Sequence, residues 1–183
     1  MLPIRIGIGH DTHRLTEGVA MLLGGVRIPC EFSLAGHSDA DVLLHAVTDA
    51  LLGAASLGDI GELYPDTVPE NKERDSAEIL TEVYRLVRKS GWIIVNLDCI
   101  IFAQNPKFGH HKLDIKLRIA EILDLASEQV NIKAKTGEKV GHIGRCEAVA
   151  AQCVALLTHP TEFRPRLLEM IAQADVAKSG DLP

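Results

Sequence analysis

Residues 35–53 read Ala35-Gly-His-Ser-Asp-Ala-Asp-Val-Leu-Leu-His-Ala-Val-Thr-Asp-Ala-Leu-Leu-Gly53. Taken as a helix that starts near Ser38 or Asp39 and runs to about Leu57, this stretch has two unlike faces. Asp41, His45 and Asp49 recur at every fourth position and form one stripe, with Thr48 beside them. Val42, Leu43, Ala46, Val47, Ala50, Leu51 and Ala54 cover nearly all of the rest. A helix that is apolar around most of its circumference is a buried helix. Ionised groups are rarely buried unless paired, hydrogen-bonded or on a metal. The stripe is therefore expected to line a cleft, to meet counter-charges or to hold an ion.

Outward from this helix, residues 4–13 alternate and read as a strand, with Asp11 and His13 on one side and His10 and Thr12 on the other. Gly7 and Gly9 do not begin a dinucleotide fingerprint, because Thr12 stands where its third glycine belongs. Residues 21–28 predict a hairpin about Gly24-Gly25. Residues 58–69 are turn-rich, and a connection of that length suits a binding loop. Ser76 predicts the N-cap of a helix to about Ser90, ended by Gly91. Residues 92–103 read as a long strand broken by Asn105-Pro106-Lys107. Residues 111–125 predict a helix with Leu113, Leu117, Ala120 and Leu123 inward. Residues 130–136 predict a strand with Asn131, Lys133 and Lys135 on one face. The alanine-rich run 145–157 predicts a final helix.

The expected architecture is an α+β sandwich, a small mixed sheet with helices packed on one face. The other face needs burial elsewhere, and oligomerisation supplies it. One domain is expected over 1–159, with a more polar tail over 160–183 that has helical spacing at 166–176.

The net charge of -6 and 4% aromatic content argue against a nucleic-acid binder, which needs a basic surface and stacking platforms. The four cysteines, Cys30, Cys99, Cys146 and Cys153, lack C-x-x-C spacing and read as core residues of a reducing compartment. In the expected final helix Cys146 and Cys153 would share a face. With no secretory signal and no apolar run of spanning length, the expectation is a cytoplasmic protein without membrane contact.

Asp11, His13 and His45 are a candidate metal triad, since two imidazoles and a carboxylate suit zinc with a fourth position open. Asp49, one turn after His45, is placed to accept its second ring N–H. Spacing alone also fits a His45–Asp49 pair beside an unrelated strand carboxylate. Lys133, Lys135, Lys139 and Arg145 gather positive charge around Thr136-Gly137-Glu138, without a P-loop pattern.

Six motifs then occur in one order: Gly9-His-Asp-Thr-His13, Gly24-Gly-Val-Arg-Ile-Pro29, the run 37–54, Leu57-Gly-Asp-Ile-Gly-Glu-Leu-Tyr-Pro-Asp66, Ala103-Gln-Asn-Pro-Lys107 and Thr136-Gly-Glu-Lys-Val-Gly141. Over 4–158 the chain resembles the 2-C-methyl-D-erythritol 2,4-cyclodiphosphate synthase family of the non-mevalonate isoprenoid pathway. The resemblance implies a homotrimer with sites between subunits, the open sheet faces meeting at its core.

It also implies zinc or another divalent ion on Asp11, His13 and His45, and a second ion, magnesium or manganese, with the substrate diphosphate at Glu138. His37 and Thr136 would be catalytic, with His37 and Ser38 on phosphate. Asp59, Ile60, Gly61, Tyr64, Pro65, Asp66, Thr67 and Val68 would hold the methylerythritol part. Ala103, Gln104, Asn105, Pro106, Lys107, Phe108 and Gly109 would form a cytidine pocket. Lys135, Thr136, Gly137 and Glu138 would lie along the diphosphate, and His142 and Arg145 join the binding residues. The implied reaction is an intramolecular phosphoryl transfer that releases CMP, so the small-molecule partner is a cytidine diphosphate substrate. His10 and His142 stand where many relatives carry aromatic residues around an axial cavity, which predicts a more polar cavity here.

Overall fold

The computed structural model describes residues 3–36, 39–65, 67–71, 74–160 and 165. Strand β1 (Ile4–Glu17) opens the chain, and helix α1 (Val42–Ala55) lies across it. Two glycines make that crossing close. A Cβ at Gly7 would stand 2.0 Å from the Ala50 carbonyl oxygen, and one at Gly9 would stand 2.0 Å from that of Ala46. Only hydrogen fits between strand and helix backbone at both places.

β2 (Ala20–Leu23) and β3 (Val26–Pro29) form the expected hairpin, with Gly24 and Gly25 at φ +62° and +72°, the left-handed pair that a tight hairpin turn requires. β4 (Phe32–Ala35) pairs with the far end of β1. After α1 come the short α2 (Ile60–Leu63), α3 (Ser76–Lys89), β5 (Ile93–Phe102), α4 (Lys112–Leu123), β6 (Val130–Lys135), the short α5 (Gly141–Gly144) and β7 (Ala148–Thr158). The main sheet has the order β4-β1-β7-β5-β6; β5 and β6 are parallel across α4 and the other pairs antiparallel.

The expected final helix at 145–157 is instead β7, the central strand. Its helix-facing residues Val149, Ala151, Cys153, Ala155 and Leu157 are fully buried, alternating with Gln152, Val154 and Leu156 on the other side. The alternation is of period two, but alanine and cysteine carry it, so composition suggested a helix. Small side chains serve the strand because α1 packs over β7 as well as β1. Cys146 and Cys153 therefore share no helical face. Cys146 precedes β7 at φ +58°, and Cys153 sits opposite Cys99 of β5, both buried.

α4 exists as expected and buries Ala120 and Leu123 as expected, but it turns Ile115 and Ile119 inward in place of Leu113 and Leu117. Ile115, Ile119, Ala120 and Leu123 are buried, whereas Leu113 and Leu117 are 63% and 48% exposed. Both pairs have helical spacing, and Ile115 wins because it packs beneath Gly24 of the hairpin. α3 is capped by Asp75, whose carboxylate accepts from the Ala77 N–H, and not by Ser76.

α1, α3 and α4 cover one sheet face. On the other, Ile6 and Ile8 are 69% and 62% exposed, and Ile4, Val95 and Val154 continue the open apolar patch. Among the described residues no helix is long and apolar enough to cross a membrane. The tail expected over 160–183 lies, apart from Pro160 and Pro165, outside the described residues.

Candidate active site

The charged stripe of α1 resolves into three different jobs. Asp41 caps the helix and is fully buried. Its carboxylate accepts from the backbone N–H of Gly24 (2.9 Å), Gly25 (2.7 Å), Leu43 (3.1 Å) and Leu44 (3.0 Å). Burial pushes this carboxyl above the usual range, and the amides of Gly25, Leu44 and Gly24 oppose the rise. Asp41 thus ties the hairpin to the start of α1. Asp49 accepts from the Ile60 N–H at 2.8 Å and anchors the loop that carries Asp59, Ile60 and Gly61. It does not receive the second ring N–H of His45 that helical spacing suggested. That nitrogen, Nε2, stands 2.9 Å from the Ser76 hydroxyl, which enters from α3.

His45 alone of the stripe meets β1. Its Nδ1 is 3.0 Å from Asp11 Oδ2, and His13 Nε2 is 2.9 Å from the same oxygen. One donor atom from each residue lies within 4.8 Å of the others. Burial would raise the Asp11 carboxyl, but hydrogen bonds from His13 and His45 outweigh it and hold that carboxyl well below the usual carboxylate range. Burial would lower His13, but its bond to Asp11 and the charge of Asp11 raise it. His13 Nδ1 lies 3.0 Å from the Ala40 carbonyl, which can only accept. Nδ1 therefore carries a proton, and Nε2, which faces Asp11 Oδ2, is the nitrogen that would turn its lone pair to a bound ion. Two imidazole nitrogens and a carboxylate oxygen, with outer nitrogens tied back, fit a divalent ion.

The cluster forms one end of a cleft of about 620 Å³, lined also by Gly36, Ile60, Gly61, Tyr64, Pro65, Thr67, Asn71 and Ile79. Of the expected substrate residues, Ile60, Gly61, Tyr64, Pro65 and Thr67 line this cleft; Asp59 caps α2 beside them, and Val68 is exposed in the same loop. Tyr64 donates to Glu82 at 2.9 Å, and Arg74 stacks over its ring while pairing with Glu82 at 2.6 Å. His37, Ser38 and Asp66 lie outside the described residues.

A second cavity, about 270 Å³, opens at the ends of parallel strands β5 and β6. It is lined by Ala103, Pro106, Lys107, Phe108, Gly109, Lys112, Ala134, Lys135 and Thr136. Gln104 borders it and accepts from the Lys139 N–H at 3.3 Å, tying the 103–109 loop to the 136–141 loop. Asn105 is exposed, with its amide 3.7 Å from Cys146 Sγ. In the second loop the Thr136 hydroxyl donates to Glu138 at 2.9 Å. Glu138 and Lys139 hold left-handed φ of +49° and +64°, and a Cβ at Gly137 would stand 2.4 Å from Gly144 N. Consecutive left-handed residues without glycine are strained, and such strain gathers at ligand sites. His142 is exposed on α5, and Arg145 beyond it pairs with Glu147 at 2.7 Å. His10 lies on the open sheet face, 3.2 Å from the Thr12 hydroxyl.

Register separates the two cavities. Asp11, Ala151, Ile101 and Ala134 form one row across β1, β7, β5 and β6. Three strand spacings put the triad about 14 Å from the β6 edge. The sequence did not point to Ser76, Asp39, Asn71, Ile79 or Lys112. Ser76 was masked by its likeness to a helix cap, and the others come together only through tertiary contact.

Comparison with known proteins gives a consistent result. The YgbB family model matches residues 4–158. A 2-C-methyl-D-erythritol 2,4-cyclodiphosphate synthase of Neisseria gonorrhoeae is 53% identical over 157 residues, 86% of this chain and 98% of the relative. The synthase of that name from Geobacillus thermodenitrificans is 54% identical over 153 residues, 84% and 96% of the two chains. A solved Plasmodium falciparum IspF in complex with CDP superposes with a TM-score of 0.76 at 33% identity, covering 87% of this chain and 98% of that one. The triad, the two cavities and the loops between them thus lie within the shared region, and the chain belongs to the YgbB family of 2-C-methyl-D-erythritol 2,4-cyclodiphosphate synthases.

Proposed function

We propose that this protein converts 4-diphosphocytidyl-2-C-methyl-D-erythritol 2-phosphate to 2-C-methyl-D-erythritol 2,4-cyclodiphosphate with release of CMP. It is then a phosphorus–oxygen lyase of cytoplasmic isoprenoid synthesis. The observation that carries the reading is the Asp11–His13–His45 cluster at one end of a cleft walled by Ile60, Gly61, Tyr64 and Pro65. In the reaction an oxygen of the 2-phosphate bonds to the β-phosphorus, and the bond from that phosphorus to CMP breaks. No water is consumed, and no protein nucleophile is required. The residues need only fold the substrate back on itself and meet the charge developing at phosphorus.

Within this reading Asp11, His13 and His45 hold zinc, and Glu138 contacts a second ion, magnesium or manganese. Bound ions would supply positive charge to the phosphate oxygens. Asp59, Ile60, Gly61 and Tyr64 to Val68 orient the methylerythritol part, with His37 and Ser38 on phosphate. Ala103 to Gly109 take the cytosine end, while Lys135, Thr136 and Gly137 follow the diphosphate.

The working form is a homotrimer. Supporting it are the open apolar face around Ile6 and Ile8 and the position of Lys135, opposite Phe102 on that face, whereas Asp11 points toward α1. Two half-sites about 14 Å apart, at opposite edges of one sheet, are best joined by a neighbouring subunit that brings its 103–109 and 136–138 loops to the triad. Residues 1–159 form the catalytic domain, 160–183 are an appended tail, and His142 and Arg145 complete the binding residues near the axis.

Incubation of the purified protein with substrate, Zn²⁺ and Mg²⁺, followed by ³¹P NMR, tests the function. CMP and the cyclic diphosphate should appear in equal amounts. CMP accompanied by an open-chain product would identify a zinc hydrolase, and a folded, zinc-loaded protein without turnover would identify a binding module.

A further inference from the structure

Ser76 and Asp39 form a chain of hydrogen bonds that ends on His45. Ser76 is the first residue of α3 and is 1% exposed. Because Asp75 caps the helix, the Ser76 hydroxyl is not engaged in capping. Its backbone N–H donates to Asp39 Oδ2 at 2.9 Å, and its hydroxyl donates to Asp39 Oδ1. Asp39 is itself held between two elements: Oδ1 also accepts from the Asp41 N–H at 3.2 Å, and its own N–H donates to the Arg74 carbonyl at 3.4 Å.

A carboxylate only accepts, so the single hydroxyl proton of Ser76 is used on Asp39. Lone pairs remain at Oγ, and His45 Nε2 stands 2.9 Å away. Nε2 must then bring its proton to Ser76. Nδ1 faces Asp11 Oδ2 at 3.0 Å and is the nitrogen that would give its lone pair to an ion bound in the cluster. We propose that Ser76 and Asp39 are positioning residues that hold His45 as the Nε2–H tautomer with Nδ1 aimed at the metal position. The proposal rests on the reading of Asp11, His13 and His45 as a metal site. It makes the start of α3 part of the metal centre and gives the Ala40 carbonyl on His13 its counterpart on His45.

Three substitutions separate this role from a structural one. Ser76→Ala keeps the backbone bond to Asp39 and removes only the acceptor of the His45 proton. Asp39→Asn must turn an NH₂ group toward either the Ser76 N–H, donor against donor, or the Ser76 oxygen. In the second case the hydroxyl proton swings to His45 Nε2 and drives the ring proton onto Nδ1, the wrong tautomer. Ser76→Thr keeps the hydroxyl.

Zinc affinity is measured on the full chain by competition with a chromophoric chelator, and the proton on His45 Nε2 by ¹H–¹⁵N correlation of the histidine rings in the zinc-loaded protein. Ser76→Ala and Asp39→Asn are expected to lose about 10–100-fold in zinc affinity, the usual effect of an outer partner of a ligating histidine. Ser76→Thr should recover most of it. The zinc-loaded parent should show a His45 Nε2–H protected from exchange with water, and Ser76→Ala one that exchanges fast. Parent-like affinity and parent-like protection of the Nε2–H in both Ser76→Ala and Asp39→Asn would overturn the proposal. If Ser76→Ala fails to fold, Asp39→Asn decides by the same two measurements. A parent that binds no zinc would overturn the metal reading on which the proposal rests, a result distinct from parent-like affinity in the variants.

Discussion

Gly9→Ala reaches the site through the backbone. A Cβ at residue 9 would stand 2.0 Å from the Ala46 carbonyl oxygen and 2.7 Å from the Ala50 nitrogen, where ordinary contact begins at 3.4 Å. Both atoms belong to the backbone of α1, so no side chain can swing aside. The helix must withdraw from β1 by about 1.4 Å to restore a van der Waals separation. Ten residues of α1 are buried and would move with it. Overpacking typically costs 1–3 kcal/mol, and the need to shift a whole helix places this case at about 3 kcal/mol. At roughly 2–4 °C per kcal/mol for a domain of this size, melting should fall by about 6–12 °C. The same displacement separates His45, next to Ala46, from Asp11, two residues after Gly9. Metal distances tolerate about 0.2 Å, so zinc affinity should fall at least as far as on loss of an outer partner, about 100-fold. Gly53→Ala is the control on the same helix. A Cβ there meets nothing within 4 Å, so the change should stabilise by up to about 1 kcal/mol. Calorimetry and chelator competition on both variants decide the matter. A Gly9→Ala protein that melts with the parent and binds zinc as tightly would refute the close-approach reasoning.

Three further outcomes are expected. His45→Ala should lose most bound zinc and nearly all activity while the assembly persists, and full zinc occupancy by metal analysis would contradict its place as a ligand. Mixing Asp11→Ala with Lys107→Glu, each inactive alone, should restore some activity once subunits exchange; demonstrated exchange without any return of activity would remove the shared site. The zinc-free protein should show a pH window set by Asp11 and His13. The Asp11 carboxyl is depressed, so its contribution is present above the unfolded value of about 3.9 and fades as pH falls through the depressed one. The His13 imidazole is raised, so its contribution is full below about 6.5 and fades as pH rises through the raised value. The loss of thermal stability caused by His13→Gln should therefore be largest near about pH 5.5 and smaller at about pH 9; a loss that grows with pH would exclude this pairing.

The amino-acid sequence alone marks the buried helix, the Asp11–His13 strand, the glycine hairpin and the order of six motifs, because each rests on local chemistry: period, turn residues and the cost of burying charge. It also announced an unburied sheet face, since the chain supplies helices for only one side. It did not distinguish which carboxylate of the α1 stripe serves the site. Asp41 and Asp49 are consumed by backbone amides of the hairpin and of Ile60, and those donors arrive from residues distant in the chain. It misread 148–158, because a central strand under a closely packed helix needs small residues, and small residues are also good helix formers. It set Ala120 and Leu123 of α4 inward but wrongly added Leu113 and Leu117, because Ile115 and Ile119 have helical spacing too and only the contact with the hairpin selects them. The partner of His45 was also hidden: Ser76 has the local signature of a cap, and its hydroxyl acquires its role only when α3 and the Asp39 turn are brought together over the triad. Those choices belong to the tertiary structure because a buried polar atom takes its partner from whatever the fold places within about 3 Å, however far away it lies in the chain.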